Sequence, residues 1–148
     1  MTKDGLRVGT IDHVELFVPN RYEAADWYGR TLGFSIVHSH EGWATEGGPL
    51  MISADDGGTM LALFEGEPRG QRETAGHHRV AFRVGGHDFL RILDALREGF
   101  VYDDSGTPSS GRTMDHTTAY SVYFCDPYGN RYEITTYDYD TVAHRIPR

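Results

Sequence analysis

The chain has 148 residues, 39% of them hydrophobic and 24% charged, and a net charge of −8 with its histidines neutral. That is the length and composition of one soluble domain, and the excess of acid argues against a general affinity for nucleic acid or an anionic membrane surface. The single cysteine, Cys125, excludes an internal disulfide and a cysteine-based zinc site.

No stretch has the length of a membrane-spanning helix, and the opening Met-Thr-Lys-Asp-Gly-Leu-Arg lacks the apolar centre of a signal peptide. The cytoplasm is therefore the expected location. Thr10 to Val18 reads as a first strand, with Asp12-His13-Val14-Glu15 at its start. Pro19-Asn20 then marks a turn with Asn20 as helix cap. Ala24, Trp27, Tyr28 and Leu32 follow at helical spacing, and Gly33 ends the helix. Phe34 to Ser39 reads as a second strand on which His38 and His40 share a face. Pro49 to Ser53 and, after the turn Asp55-Asp56-Gly57-Gly58, Thr59 to Phe64 complete three strands. Residues 65–76 form a polar connector.

The order then repeats. His78 to Val84 is a strand. Phe89, Leu90, Leu93 and Leu96 give a helical period closed by Gly99, and Phe100 to Asp103 is a short strand. Residues 104–112 form a loop rich in Ser, Gly and Pro. Ser121 to Cys125 and Arg131 to Tyr137 make a hairpin around Asp126-Pro127-Tyr128-Gly129-Asn130, where Pro pre-sets one negative φ and Gly is free to take a positive one. The tail after Asp138 is polar and expected at the surface. Anchor segments support a duplication: Ile11-Asp12-His13-Val14 answers His77-His78-Arg79-Val80, and Leu61-Ala62-Leu63 answers Tyr132-Glu133-Ile134.

The predicted fold is α+β, a single domain over 1–148 made of two tandem βαβββ modules, about 8–66 and about 76–138, whose sheets enclose a cavity. Glu133 sits between Tyr132 and Ile134, where a charge is costly unless something positive holds it. A metal ion would do so. His13 near the start of one strand, His78 at the start of another and Glu133 on a third are the ingredients of a facial triad with open coordination positions, typical of non-haem iron.

The Asp-His-Val-x-Leu opening, the His-His-x-Val-Ala-Phe second opening and the Ser-Val-Tyr-Phe-x-Asp-Pro-x-Gly-Asn-Arg-x-Glu ending together resemble the vicinal oxygen chelate superfamily of glyoxalases, antibiotic-resistance proteins and extradiol dioxygenases. The resemblance runs from about Thr10 to Tyr137, and the ending is most similar to extradiol ring-cleaving dioxygenases. It implies His13, His78 and Glu133 as metal ligands, with His116 and Tyr123 beside the bound substrate as catalytic groups. It implies a divalent metal, Fe(II) before Mn, Zn or Ni, a small substrate with two adjacent oxygens, and a homodimer as a common assembly. Ala62 stands where glyoxalase-type relatives carry a fourth ligand, which favours ring-cleaving chemistry. The second opening has one residue more than the usual pattern, so strict register puts Arg79 at the ligand position, while a bulge would restore His78 or His77. Two other readings stay open: a metal-free protein of the antibiotic-resistance type that binds an aromatic small molecule, and a glyoxalase-like isomerase.

Overall fold

A computed structural model describes residues 9–67 and 77–146. Residues 1–8, where no signal peptide is expected, and the connector from position 68 to 76 lie outside the described residues. The chain divides into two compact units, Met1–Arg69 and Gly70–Arg148. Its two sheets with few helices make a mixed α+β protein, consistent with tandem βαβββ modules.

The first unit runs β1 (His13–Val18), α1 (Arg21–Leu32), β2 (Ser35–Ile36), a 3-10 turn (His38–His40), α2 (Gly42–Thr45), β3 (Leu50–Ser53) and β4 (Met60–Glu65). Its sheet order is β1-β4-β3-β2, with β1 parallel to β4. Asn20 caps α1 as expected, accepting the Glu23 N–H at 2.9 Å. Gly33 ends the helix at φ 76°, a left-handed conformation that side chains resist. Ala24, Ala25, Trp27 and Tyr28 form the buried stripe that packs on the sheet. The opposite sheet face is also apolar in its middle, where Met51, Met60 and Ala62 cluster with Val37 and Phe64.

The second strand is shorter than expected, and His38 and His40 do not alternate on it. After Val37 the run His-Ser-His-Glu-Gly-Trp has no alternating apolar residues to bury, so the backbone closes helical bonds instead, His40 N–H to Val37 O and Glu41 N–H to His38 O. His38 Nδ1 pairs with Glu41 at 2.9 Å, and the His40 ring stacks on Trp43 at 4.2 Å.

The second unit runs β5 (Val80–Arg83), α3 (Gly86–Leu96), β6 (Val101–Tyr102), β7 (Pro108–Ser109), β8 (Arg112–Asp115), β9 (Tyr120–Cys125), β10 (Arg131–Thr136) and α4 (Tyr139–Ala143). β10 lies between β5, to which it is parallel, and antiparallel β9; β8 and β6 share the far edge of β9. Along β10, Tyr132, Ile134 and Thr136 are buried while Arg131, Glu133 and Thr135 are half-buried, the period of two expected of a strand with two different faces. The first set joins Val122, Phe124 and the α3 residues Phe89, Leu93 and Leu96 in the core. The tail is less polar in effect than its composition implies, because α4 buries Val142 and packs on α3.

Candidate functional site

The two parallel ladders make the internal repeat explicit. Glu15 pairs with Ala62 between β1 and β4, and Ala81 pairs with Glu133 between β5 and β10. His13 in the first unit therefore corresponds to Arg79 in the second, and Ala62 corresponds to Glu133.

On the second sheet the face opposite α3 is polar. Across four adjacent strands the ladders align Ala81, Glu133, Tyr123 and Arg112 on this face. Arg79, two residues before Ala81, brings its guanidinium carbon 4.6 Å from the centre of the Tyr123 ring, and Arg112 reaches within 5.0 Å of the same ring. Both are cation–π distances. Glu133 accepts a hydrogen bond from Ser121 Oγ at 2.7 Å, so the charge that was costly in the sequence has a neutral donor and lies across the ladder from Tyr123.

Tyr123 is also joined to His116, its hydroxyl 2.8 Å from Nε2, with the proton carried by either partner according to tautomer. The tight link between β8 and β9 produces this contact. His116 N–H donates to Ala119 O at 2.8 Å, and Thr117 takes a φ of 73° while its N–H is held by Asp115 Oδ1 at 2.8 Å. A β-branched residue in the left-handed region costs about 1–3 kcal/mol, and such strain concentrates at functional positions. The two residues that the resemblance pairs beside a substrate are thus in direct contact.

His78 lies ahead of β5, is exposed, and accepts from Arg131 Nη1 at 3.1 Å through Nδ1; His77 is exposed as well. Neither stands on the rung beside Glu133, which is Ala81; by the alternation of the strand it is Arg79, just ahead of β5, that shares the face of Ala81. His13, in the first unit, is gripped at both nitrogens: Nδ1 is 2.7 Å from Asp12 Oδ2 and Nε2 is 3.3 Å from Glu15 Oε2. The Asp12 carboxylate raises its pKa above the ordinary imidazole value, partial burial opposes this, and Glu15 adds to the rise. Among the described residues of either unit, no three His, Cys, Asp or Glu side chains gather as a metal-binding group.

Sequence reasoning missed Glu15, Ser121 and Arg112. The first two carried a signal, since each lies two residues from a candidate on the same strand and therefore on its face. Arg112 carried none, because β8 reads Arg-Thr-Met-Asp, is exposed throughout and has no apolar alternation.

Cys125 is a structural residue here. It is buried, its thiol donates to Asp104 Oδ1 at 3.5 Å, and burial first and Asp104 second push its pKa up to about 11. The native protein is expected to resist a disulfide reagent at pH 8 that reacts readily with the urea-unfolded chain. Equal rates in the two states would refute this.

The pattern of the Glyoxalase/Bleomycin resistance protein/Dioxygenase superfamily matches residues 10–134. Among solved structures, the fosfomycin resistance protein FosX from Listeria monocytogenes is 13% identical with a TM-score of 0.65, over 95% of this chain and 100% of that one. A glyoxalase/dioxygenase from Nostoc punctiforme is 20% identical with a TM-score of 0.60, over 86% of this chain and 90% of that one. Oxidase ChaP-H2 is 20% identical with a TM-score of 0.61, over 92% and 99% respectively. At such identities these structures share a fold with this chain. The superfamily match spans most of the sequence, and the protein belongs to the Glyoxalase/Bleomycin resistance protein/Dioxygenase superfamily.

Proposed function

We propose that the chain binds a small organic molecule on the polar face of its second sheet, in the manner of a resistance-type binding protein, and does so without a metal ligand from β5. The observation that carries this reading is Arg79. Members of the superfamily typically use divalent metals, yet the register that sets Ala81 beside Glu133 puts a guanidinium at the position equivalent to His13. A guanidinium is always charged and has no lone pair to give a metal. With His78 ahead of the strand and held by Arg131, the second unit offers Glu133 without a histidine on the neighbouring rung. The donor set His13, His78 and Glu133 does not fit that arrangement. In its place, the joined His116 and Tyr123 present a hydrogen-bond donor and acceptor to a ligand oxygen, and the Tyr123 ring presents an aromatic surface.

Elemental analysis of protein purified without chelator tests this. The expected result is well under one equivalent of iron, manganese, zinc or nickel, with no gain on anaerobic loading with Fe(II). A full equivalent that disappears in Glu133→Ala would overturn the reading.

The second reading is the metal-dependent enzyme, acting on a catechol-like or other substrate with vicinal oxygens, with Fe(II) as the first choice of ion. The first unit favours it. Asp12 at Nδ1 orients the His13 ring as metal-ligating histidines are oriented by outer carboxylates. Glu15 lies beside Ala62, where a fourth ligand is missing, with its carboxylate 3.3 Å from His13 Nε2. Metal that is lost in His13→Ala would select this reading over the first.

A further inference from the structure

The chain is acidic overall, with a net charge of −8, but the polar face of its second sheet is not. Arg79, Arg83, Arg112 and Arg131 all belong to this face, against one strand carboxylate, Glu133. Two of the four are already engaged. Arg131 donates to Asp104 at 3.1 Å and to His78, and Arg83 lies over the Tyr137 ring at 4.9 Å. Arg79 and Arg112 have no carboxylate within ion-pair distance among the described residues. Both converge on the Tyr123 ring instead. Arg79 Nε is moreover buried with no hydrogen-bond acceptor among the described residues, a donor that costs free energy unless something accepts from it.

A guanidinium that rests against an aromatic ring keeps its in-plane N–H fork free for a carboxylate, the geometry in which two parallel N–H···O bonds form. Ala81 and Met114 share the face and leave exposed apolar surface beside the arginines. Tyr123 and His116 supply a hydroxyl and an imidazole nitrogen at the same place.

We infer that the ligand of this face is a planar organic acid, its carboxylate taken by Arg79 and Arg112 beside Tyr123 and its ring lying along the apolar surface. The inference deepens the proposed binding function and rests on it, in that both place the ligand on this face. An acidic protein with a local arginine pair selects an anion by short-range hydrogen bonding, and its general field repels the same anion. Binding is therefore specific to the pair.

The test uses benzoate and its neutral analogue benzamide as probes, titrated into full-length protein and followed by NMR chemical-shift changes. Benzoate is expected to bind about tenfold more tightly than benzamide, one charge-assisted bidentate contact's worth of discrimination. Arg112→Gln, at an exposed position that does not threaten folding, is expected to remove most of that preference, weakening benzoate far more than benzamide. Arg112→Lys retains part of it, and Arg79→Gln acts like Arg112→Gln. Equal affinity for the two probes, an unchanged preference in both glutamine variants, or no shift with benzoate at any concentration overturns the inference. The same titration after dialysis against EDTA keeps the two proposals apart. Binding that needs metal refutes the metal-free reading, while the ratio of benzoate to benzamide still judges the arginine pair.

Discussion

Replacing Tyr132 by alanine is expected to lower the stability of the protein by about 4 kcal/mol, the middle of the range for a buried aromatic cut to alanine. Tyr132 has no exposed surface. Its ring lies 6.1 Å from Phe82 on β5 and 6.0 Å from Phe124 on β9, stacked with each. Removing it opens a cavity between β5 and β9 and takes away two aromatic contacts, each worth about 0.5–1.5 kcal/mol beyond area burial. Urea unfolding measures the effect. A loss under about 1 kcal/mol would mean that the site collapses around the vacancy and that the three strands are not tied through this ring. Ligand binding should weaken as well, because Glu133 follows Tyr132 directly and faces the other way.

That alternation ties stability to function. The core residues Tyr132 and Ile134 and the site residue Glu133 are consecutive, so burying the first two aims the third at the polar face. The same holds on β9, where Val122 and Phe124 are buried and the intervening Tyr123 meets Glu133 across the ladder. The packing of α3 against one face thus orients the groups on the other.

Much of this could be read from sequence. The hairpin strands are rich in β-branched and aromatic residues, β10 alternates cleanly, and α1 and α3 carry apolar residues at helical spacing with glycine at or just after their ends. Arg79 was visible as the residue that strict register puts at the ligand position, and the ladder through Ala81 places it on the face of Glu133. What stayed hidden depends on pairing between distant strands. Glu15 gains meaning from lying beside Ala62, which only the β1–β4 ladder sets. Arg112 belongs to a strand with no apolar alternation, formed because β9 offers a free edge, so its approach to Tyr123 has no local sequence signal. The histidines at 38 and 40 misled for the opposite reason: two polar residues two apart resemble a strand face, but short-range pairing with Glu41 and stacking on Trp43 suit a helical turn.

Asp126→Ala is expected to cost about 3 kcal/mol and to reduce ligand binding along with stability. The carboxylate is 1% exposed. Its Oδ1 accepts from the N–H of Tyr128 at 2.9 Å and of Asn130 at 2.8 Å, and Oδ2 accepts from Asn130 Nδ2 at 2.7 Å. Alanine leaves those donors without the acceptor that fixes the turn, and hydrogen bonds to a charged group contribute about 1.5–3 kcal/mol each before relaxation and water recover part of the loss. The turn sets the register in which Tyr123 opposes Glu133. Slipping β10 by one residue against β9 would turn Glu133 toward α3 and expose Tyr132 and Ile134, so the core holds the register once formed, while the turn makes it quick to find. Asp126→Asn keeps an acceptor for the two backbone N–H groups but sets an amide N–H₂ against Asn130 Nδ2, and is expected to lie between wild type and alanine. Urea denaturation of the three proteins gives the order. Alanine and asparagine variants that both match wild type would show that the strands alone specify the hairpin, and that Asp126 has no part in placing Tyr123 against Glu133.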